Sequence, residues 1–166
     1  EFLGSSNTLI NARTLSVMSS KDPIYTKDNL DIYEEPQENK YYVIVADTSR
    51  GVGGDYSAFV LLDITEMPFR LVGKYRENKM SPLLYPNVIE KVATDFNNAY
   101  VLTETNDIGQ QVVDILHQEL EYENIFSTVQ DRNKQYISPG FGKTTRLGVK
   151  TSKAVKRQGC FALKSL

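Results

Sequence analysis

The sequence predicts an α/β domain: a mixed β-sheet with three antiparallel strands, then parallel strands, flanked by helices. Three segments rich in β-branched and aromatic residues come first, at 41–46, 56–64 and 69–76, and short turns join them. Short turns join antiparallel neighbours, so these segments predict an antiparallel meander. Further along the chain the hydrophobic period alternates between that of a helix and that of a strand, which is typical of an α/β arrangement.

Each later element follows from its own local pattern. Residues 82–97 have apolar side chains at helical spacing, with Ser81 as the expected cap and Pro82 in the first turn. A short apolar strand is expected at 100–104, and a second helix over about 110–120. The remaining predicted elements are a fifth strand at 125–129, a long polar loop or hairpin at 130–146, and a helix from residue 152 onward.

The N-terminal part differs in character from the rest. Residues 1–40 are polar and weakly periodic, and Pro23, Pro36 and several acidic residues favour linker or edge structure there, with a short strand or helical turn. The sequence therefore predicts a lead-in segment at 1–40 and one folded domain at 41–166. Because the last predicted helix is still running at Leu166, we expect the domain to be truncated at that end.

Composition excludes several kinds of site. The chain has 166 residues, of which 40% are hydrophobic and 24% are charged, as is usual for one globular domain. Its single cysteine, Cys160, excludes an internal disulfide. With only one histidine, His117, the chain also cannot build a zinc site mainly from thiolates and imidazoles. No motif around His117 supports a nucleophilic triad.

The net charge of -2 hides a strong asymmetry along the chain. Residues 1–130 carry 20 of the 21 acidic residues and 10 of the 19 basic residues, whereas residues 131–166 carry nine bases and one acid. A basic segment of this kind suits the phosphate backbone of a nucleic acid. Since acids can hold cations while bases hold DNA, this charge distribution is what a metal-dependent nuclease needs.

Two carboxylates end two of the predicted strands. Asp47 follows the first strand, and Glu104 ends the fourth. If these strands lie side by side and parallel, as a helical crossover favours, both acids emerge at one edge of the sheet, about 4.8 Å apart in backbone spacing. Close carboxylates repel each other unless a cation lies between them, and Mg²⁺ or Mn²⁺ prefers such oxygen ligands. The sequence therefore predicts a divalent metal site at this edge.

The segments around these acids resemble known motifs. Residues 45–57, with the sequence VADTSRGVGGDYS, resemble the first metal-binding motif of the nuclease domain in the large terminase subunit of myovirus-type tailed bacteriophages. Residues 101–106, with the sequence VLTETN, resemble the second motif, in which a strand ends in Glu and Asn follows shortly after. Residues 1–10 resemble the segment that joins the ATPase domain of that family to its nuclease domain. The similarity is collinear along nearly the whole chain.

The resemblance implies an RNase H-like fold and a metal-dependent endonuclease that cuts concatemeric double-stranded DNA during genome packaging. It implies that Asp47 bridges two Mg²⁺ or Mn²⁺ ions, that Glu104 binds one of them, and that Asp55 supports the site. The third metal-binding aspartate of the family lies nearer the C-terminus, and no acidic residue follows Asp131. We therefore expect the third acid beyond Leu166, and its absence would limit the activity of this fragment.

The basic segment at 131–166 is expected to grip DNA phosphates with little sequence preference. The candidate DNA-binding residues are Lys143, Arg146, Lys150, Lys153, Lys156 and Arg157. The resemblance also implies the portal protein, the small terminase subunit and the ATPase domain of the same polypeptide as partners. It implies action in the host cytoplasm during virion assembly.

Two alternatives remain open on the sequence alone. One is another RNase H-like nuclease, such as a resolvase or transposase core, which would prefer branched junctions to linear duplex. The other is a non-catalytic module for DNA clamping or assembly, whose metal site is incomplete. Such a module would bind DNA with steep salt dependence and would not cleave it.

Overall fold

The computed structural model describes residues 9–131, 134–138 and 145–165. Runs of strands are interspersed with helices through these ranges, as in a mixed α/β domain. In chain order the elements are α1 (Ala12–Val17), β1 (Tyr25–Lys27), β2 (Leu30–Ile32), β3 (Tyr42–Asp47), β4 (Ser57–Asp63), β5 (Arg70–Glu77), α2 (Tyr85–Asp95), β6 (Tyr100–Thr103), α3 (Gly109–Asp114), a π-helix (Ile115–Glu119), β7 (Ser127–Asp131), β8 (Lys134–Ser138), β9 (Thr145–Leu147) and α4 (Lys153–Ser165).

The central sheet has six strands in the order β1-β2-β5-β4-β3-β6. The strands β3, β4 and β5 pair antiparallel with their chain neighbours, which confirms the predicted meander. After the crossover through α2, β6 pairs with β3 in parallel, as the prediction of a mixed sheet requires. The hairpin of β1 and β2 extends the sheet at its other edge, so part of the 1–40 segment is edge structure. The division of the chain at residue 40 stays a prediction.

The hydrophobic core lies between one face of this sheet and the helices α2 and α3. Alternation along β4 buries Phe59 and Leu61 in this core and leaves Val60 39% exposed on the other face. From the helix side, Tyr85 and Val112 are fully buried against the same strands. Burial of one such side chain stabilises the fold by about 1.5–3 kcal/mol. We call the opposite face, which contains Val60, the accessible face of the sheet.

The helix α2 starts later than the sequence predicts. It begins at Tyr85 rather than at Pro82, and no side chain caps its first turn. Ser81 is not the cap: its Oγ accepts a hydrogen bond from the Leu83 amide at 3.3 Å, and its carbonyl accepts from the amides of Leu84 and Tyr85. The prediction was wrong because Ser81 stabilises a turn that precedes the helix, a use of serine that local sequence does not distinguish from capping.

The predicted fifth strand leaves the central sheet almost at once. Ile125 forms an isolated parallel bridge with Val101, and the Phe126 amide donates to the Val101 carbonyl at 2.8 Å. From Ser127 the chain forms β7, which pairs antiparallel with β8 and β9 in a second sheet of three strands. The segment predicted as a long loop or hairpin therefore contains two strands.

The last two helices lie close to their predicted positions. The second predicted helix is α-helical from Gly109 only to Asp114 and continues as a π-helix over Ile115–Glu119. The final helix, α4, begins at Lys153, which confirms the predicted start. None of the helices in the described ranges is long and apolar enough to cross a membrane.

A buried carboxylate joins the end of β4 to its surroundings. Asp63 is 4% exposed, and its carboxylate accepts hydrogen bonds from Lys40 Nζ at 2.8 Å, Arg70 Nη2 at 2.8 Å and the Thr65 amide at 3.0 Å. Burial raises the pKa of Asp63, but the hydrogen bonds from Lys40, Arg70 and Thr65 outweigh that effect and hold its pKa well below the ordinary value. The ionised form is therefore the one that stabilises the fold.

Replacement of Asp63 should expose this contribution. The depressed pKa means that stabilisation is present above about pH 4 and is lost as the pH falls towards the folded-state pKa. At pH 7 we expect Asp63→Asn to lower the free energy of unfolding by about 2–3 kcal/mol, because Lys40 and Arg70 lose their shared anion. Urea unfolding between pH 7 and pH 2 measures this. The deficit should shrink at the acidic end, and a pH-independent deficit would contradict the assignment. The exposed Glu66→Gln is the control and should change stability by less than about 0.5 kcal/mol.

Candidate active site

Asp47 and Glu104 lie at the same edge of the central sheet. Asp47 is the last residue of β3, and Glu104 directly follows β6. The strands are parallel, with Ala46 opposite Thr103, and the Glu104 amide donates to the Ala46 carbonyl at 2.9 Å. This register confirms the predicted parallel pairing and places the two acidic residues side by side in the backbone.

Both acidic side chains belong to the accessible face of the sheet. Their chain neighbours Ala46 and Thr103 are 2% and 0% exposed on the core side, and successive residues of a strand point to opposite faces. Asp47 and Glu104 line a groove of about 440 Å³, together with Val60 and others from β4 and β5. Asp47 is exposed and Glu104 is half-buried, so solvent reaches this groove.

The basic side chains that line this groove are engaged with other partners. Lys74 Nζ lies 3.2 Å from Asp31 Oδ2, and the guanidinium of Arg76 lies 3.7 Å from the centre of the Tyr56 ring. In the part of the chain that the structure describes, neither groove carboxylate forms an ion pair. Lys74 and Arg76 keep their positive charge in the same groove, but within the described residues they form no ion pair with the two carboxylates, which stay open to a divalent cation.

The Glu104 side chain is fixed by Asn106. The Asn106 Nδ2 donates to Glu104 Oε1 at 2.8 Å and to the Thr151 carbonyl at 2.9 Å. The sequence shows Asn106 only as part of a motif. Its role is not predictable from nearby residues, because Thr151 lies 45 positions further along the chain. From behind, Gly109 packs so closely that a Cβ there would collide with the Glu104 carbonyl oxygen.

Asp55 lies apart from the two acids. It is exposed in the loop between β3 and β4 and does not line the groove. Among the residues in the described ranges, no three Asp, Glu, His or Cys side chains are close enough to hold a metal ion together. The same loop is tied to the loop after β6 by a bidentate pair, in which Arg50 Nε and Nη2 donate to Asp107 at 3.0 and 2.8 Å. A supporting role for Asp55 stays a prediction.

The predicted DNA-binding residues lie beyond Glu104. Arg146 and Lys150 line a second groove of about 380 Å³, which Asn106 and Thr151 also line. The helix α4 exposes three others, Lys153, Lys156 and Arg157. The last, Lys143, lies outside the described residues. Thr151 lines this groove and the groove of Asp47 and Glu104, so the two grooves adjoin there. Contact of the basic residues with DNA stays a prediction.

The sequence model of the terminase RNaseH-like domain family matches residues 44–166. The chain belongs to this family. That membership confirms both the RNase H-like fold class and the predicted resemblance to terminase nuclease domains. The family match covers both groove acids, the whole of β6 and the whole basic segment.

Solved structures of large terminase nucleases have the same fold. The large terminase nuclease of the thermophilic phage G20c with bound magnesium matches with a TM-score of 0.63 at 21% sequence identity, and the match covers 87% of this chain and 63% of that one. Its cobalt-bound form matches with a TM-score of 0.62 at 21% identity, with the same coverage. The zinc-bound form gives 0.60 at 20% identity and covers 87% and 69%. The chain thus spans about 63% of the length of the magnesium-bound nuclease.

Close packing behind Glu104 leads to a prediction about Gly109. A methyl group at this position would collide with backbone, which cannot rotate away as a side chain can. We expect Gly109→Ala to lower the free energy of unfolding by about 1–3 kcal/mol, measured by urea unfolding. The control is Gly159→Ala in α4, where a Cβ meets open space and should stabilise the helix by about 0.5–1 kcal/mol. Equal effects of the two substitutions would refute the tight contact.

Proposed function

We propose that this chain is the nuclease domain of a phage large terminase subunit and hydrolyses phosphodiester bonds of double-stranded DNA with divalent metal. The observation that carries the proposal is the side-by-side placement of Asp47 and Glu104 on an accessible face, in a member of the terminase RNaseH-like domain family. An acid at one strand end is commonplace, whereas two acids in adjacent parallel register in this family support a shared chemical role.

The donor set fits a hard divalent cation. Mg²⁺ is commonly held by one or two carboxylates, while water and substrate phosphates complete its shell. Solved structures of the phage G20c nuclease carry magnesium, cobalt or zinc. For this chain we propose that Asp47 and Glu104 hold Mg²⁺ or Mn²⁺, with Asp47 between two ions and Asp55 as a supporting acid. A pair of ions needs more acidic ligands than the groove itself supplies within the described ranges.

Division of labour between the residues follows from their positions. When bound, the divalent ions supply an acidified water and stabilise the charge that develops on the scissile phosphate. Asp47 and Glu104 hold them at the sheet edge, and the open groove admits the DNA backbone. Arg146, Lys150 and the bases of α4 contact phosphates on the side of Glu104. Contacts to phosphate carry no sequence information, so cleavage has little sequence preference.

The biological role that we propose is the cutting of concatemeric DNA during genome packaging. It rests on the family, whose members are terminase domains. In this role the domain works in the host cytoplasm during virion assembly, with an ATPase domain of the same polypeptide, the portal protein and the small terminase subunit as partners. The activity, substrates and partners of the whole terminase belong to this proposal.

One observation favours a second candidate function. The described residues contain no cluster of three metal-ligating side chains, which is the condition for a DNA clamp without catalysis. The same basic residues would hold DNA in both cases, so binding alone does not separate the two candidates.

Plasmid nicking in the presence of Mn²⁺ tests the nuclease proposal. We expect the chain to nick supercoiled DNA slowly, because its groove supplies only two acids within the described ranges. Asp47→Asn or Glu104→Gln should slow this nicking by at least about a further 100-fold, since even outer partners of metal ligands are worth about 10–100-fold. Thermal unfolding should show that both variants remain folded. Asp95→Asn, an exposed acid on α2, is the matched control and should nick normally. Full nicking by Asp47→Asn rejects the proposal, and DNA binding without nicking by the unaltered chain supports the clamp.

Salt dependence tests the assigned DNA surface. If Lys153, Lys156 and Arg157 each contact one phosphate, the triple alanine variant should reduce the slope of log K against log salt by about 2.7, at about 0.9 per contact. Fluorescence anisotropy with a labelled duplex measures this slope. Lys91→Ala, an exposed base on α2, should leave the slope unchanged. A slope that the triple variant shares with the unaltered chain would place the DNA elsewhere.

A further inference from the structure

The side chain of Asn106 joins two parts of the molecule that the sequence keeps far apart. Its Nδ2 carries two hydrogens, and both are used: one bond goes to Glu104 Oε1 at 2.8 Å and one to the Thr151 carbonyl at 2.9 Å. Its Oδ1 is buried and has no hydrogen-bond partner among the described residues. The side chain of Asn106 therefore acts here as a double donor.

Residues 148–151 dock against the end of β6 through an isolated parallel bridge between Glu104 and Val149. The Val149 amide donates to the Thr103 carbonyl at 2.9 Å, and the Thr105 amide donates to the Val149 carbonyl at 2.8 Å. Gly148 permits this approach: it has a φ of 73°, and a Cβ there would meet Thr105 Cγ2 at 2.6 Å. The backbone around Glu104 is therefore held from both sides, by β3 and by this segment.

The hydrogen bond from Asn106 leaves one oxygen of Glu104 available. In the described part of the chain, Glu104 Oε1 accepts from Asn106, and Oε2 accepts no hydrogen bond. A carboxylate that is anchored through one oxygen presents the other in a fixed direction, whereas an unanchored Glu side chain samples several rotamers. The half-buried position of Glu104 limits that sampling further.

We propose that Asn106 is a positioning residue of the candidate nuclease: it orients the Glu104 carboxylate for a divalent metal ion and couples it to residues 148–151. The inference rests on the proposed function for the identity of the ligand and on the two hydrogen bonds for the mechanism. Because α4 begins at Lys153, two residues after Thr151, the side-chain amide of Asn106 also links Glu104 to the start of that basic helix.

Thr105→Val is the variant that separates orientation from docking. Thr105 Oγ1 donates to the Val149 carbonyl at 3.2 Å, so this isosteric change weakens the docking of the segment without touching Glu104. Asn106→Ala removes both the docking bond and the bond to Glu104. Asn106→Leu keeps a similar side-chain volume but supplies no donors and no metal ligand, and it covers the case in which the alanine variant fails to fold.

Mn²⁺ binding to the chain without DNA, measured by electron paramagnetic resonance, is the first readout. We expect Asn106→Ala and Asn106→Leu to weaken Mn²⁺ binding by about 10–100-fold, as is usual for partners that orient metal ligands. Thr105→Val should bind Mn²⁺ within a factor of about 2 of the unaltered chain. Unchanged affinity in the Asn106 variants, or equal loss in Thr105→Val, overturns the positioning role.

Hydrogen exchange of the Val149 and Thr105 amides is the second readout and needs no metal. We expect exchange at these two amides to become at least about 10-fold faster in Asn106→Ala, because the segment loses its side-chain tether. If the unaltered chain binds no Mn²⁺, the metal-dependent function fails, and this exchange experiment alone decides the link between Asn106 and the segment. Unchanged exchange rates then overturn the inference as well.

Discussion

The parallel register between β3 and β6 is the constraint on which the rest of the site depends. The two strands pair over four positions, from Val43 opposite Tyr100 to Ala46 opposite Thr103, and the hydrogen bond from the Glu104 amide to the Ala46 carbonyl continues that register. A slip of one residue would turn Glu104 towards the core and bring Thr103, which is fully buried, to the accessible face. Burial of Val101 and Thr103 beside Ile44 and Ala46 therefore holds the two acids in place. The same strand pairing therefore buries core residues on one face of the sheet and places the two acids on the other.

The sequence predicts the strands and connections whose positions are marked by neighbouring residues. The buried run that became β3 is almost entirely apolar, and its end is marked by Asp47 and a glycine-rich turn, so both the strand and its last residue could be read. The meander followed from short connections, and the parallel partner followed from the helical crossover. Since Asp47 and Glu104 each end a strand, their proximity was a consequence of topology. Proximity of this kind needs no knowledge of side-chain packing.

Contacts between distant parts of the chain are what the sequence did not reveal. Nothing near Asn106 indicates that its amide bonds to Thr151, and nothing near Gly148 indicates that it must pass close to Thr105. For the same reason, the sequence did not show that the fifth strand belongs to a second sheet. Residues 127–131 have a polar alternation that suits a small, solvated sheet as well as an edge of the central one, and pairing with β8 and β9 decided between them. The predicted start of α2 was wrong because a serine can either cap a helix or stabilise the turn before it, and local sequence does not distinguish the two.

Charge placement distinguishes structural acids from the candidate ligands. Asp63 is buried and neutralised by Lys40 and Arg70, and Asp31 and Asp107 also have basic partners within 4 Å. Asp47 and Glu104 differ from all three, because they adjoin each other, and the bases that share their groove are bound elsewhere. Stability alone would favour a lysine or arginine between two such carboxylates. Asp47 and Glu104 instead lie at one edge of the sheet with no ion pair within the described residues, and natural proteins commonly sacrifice stability in this way at functional sites.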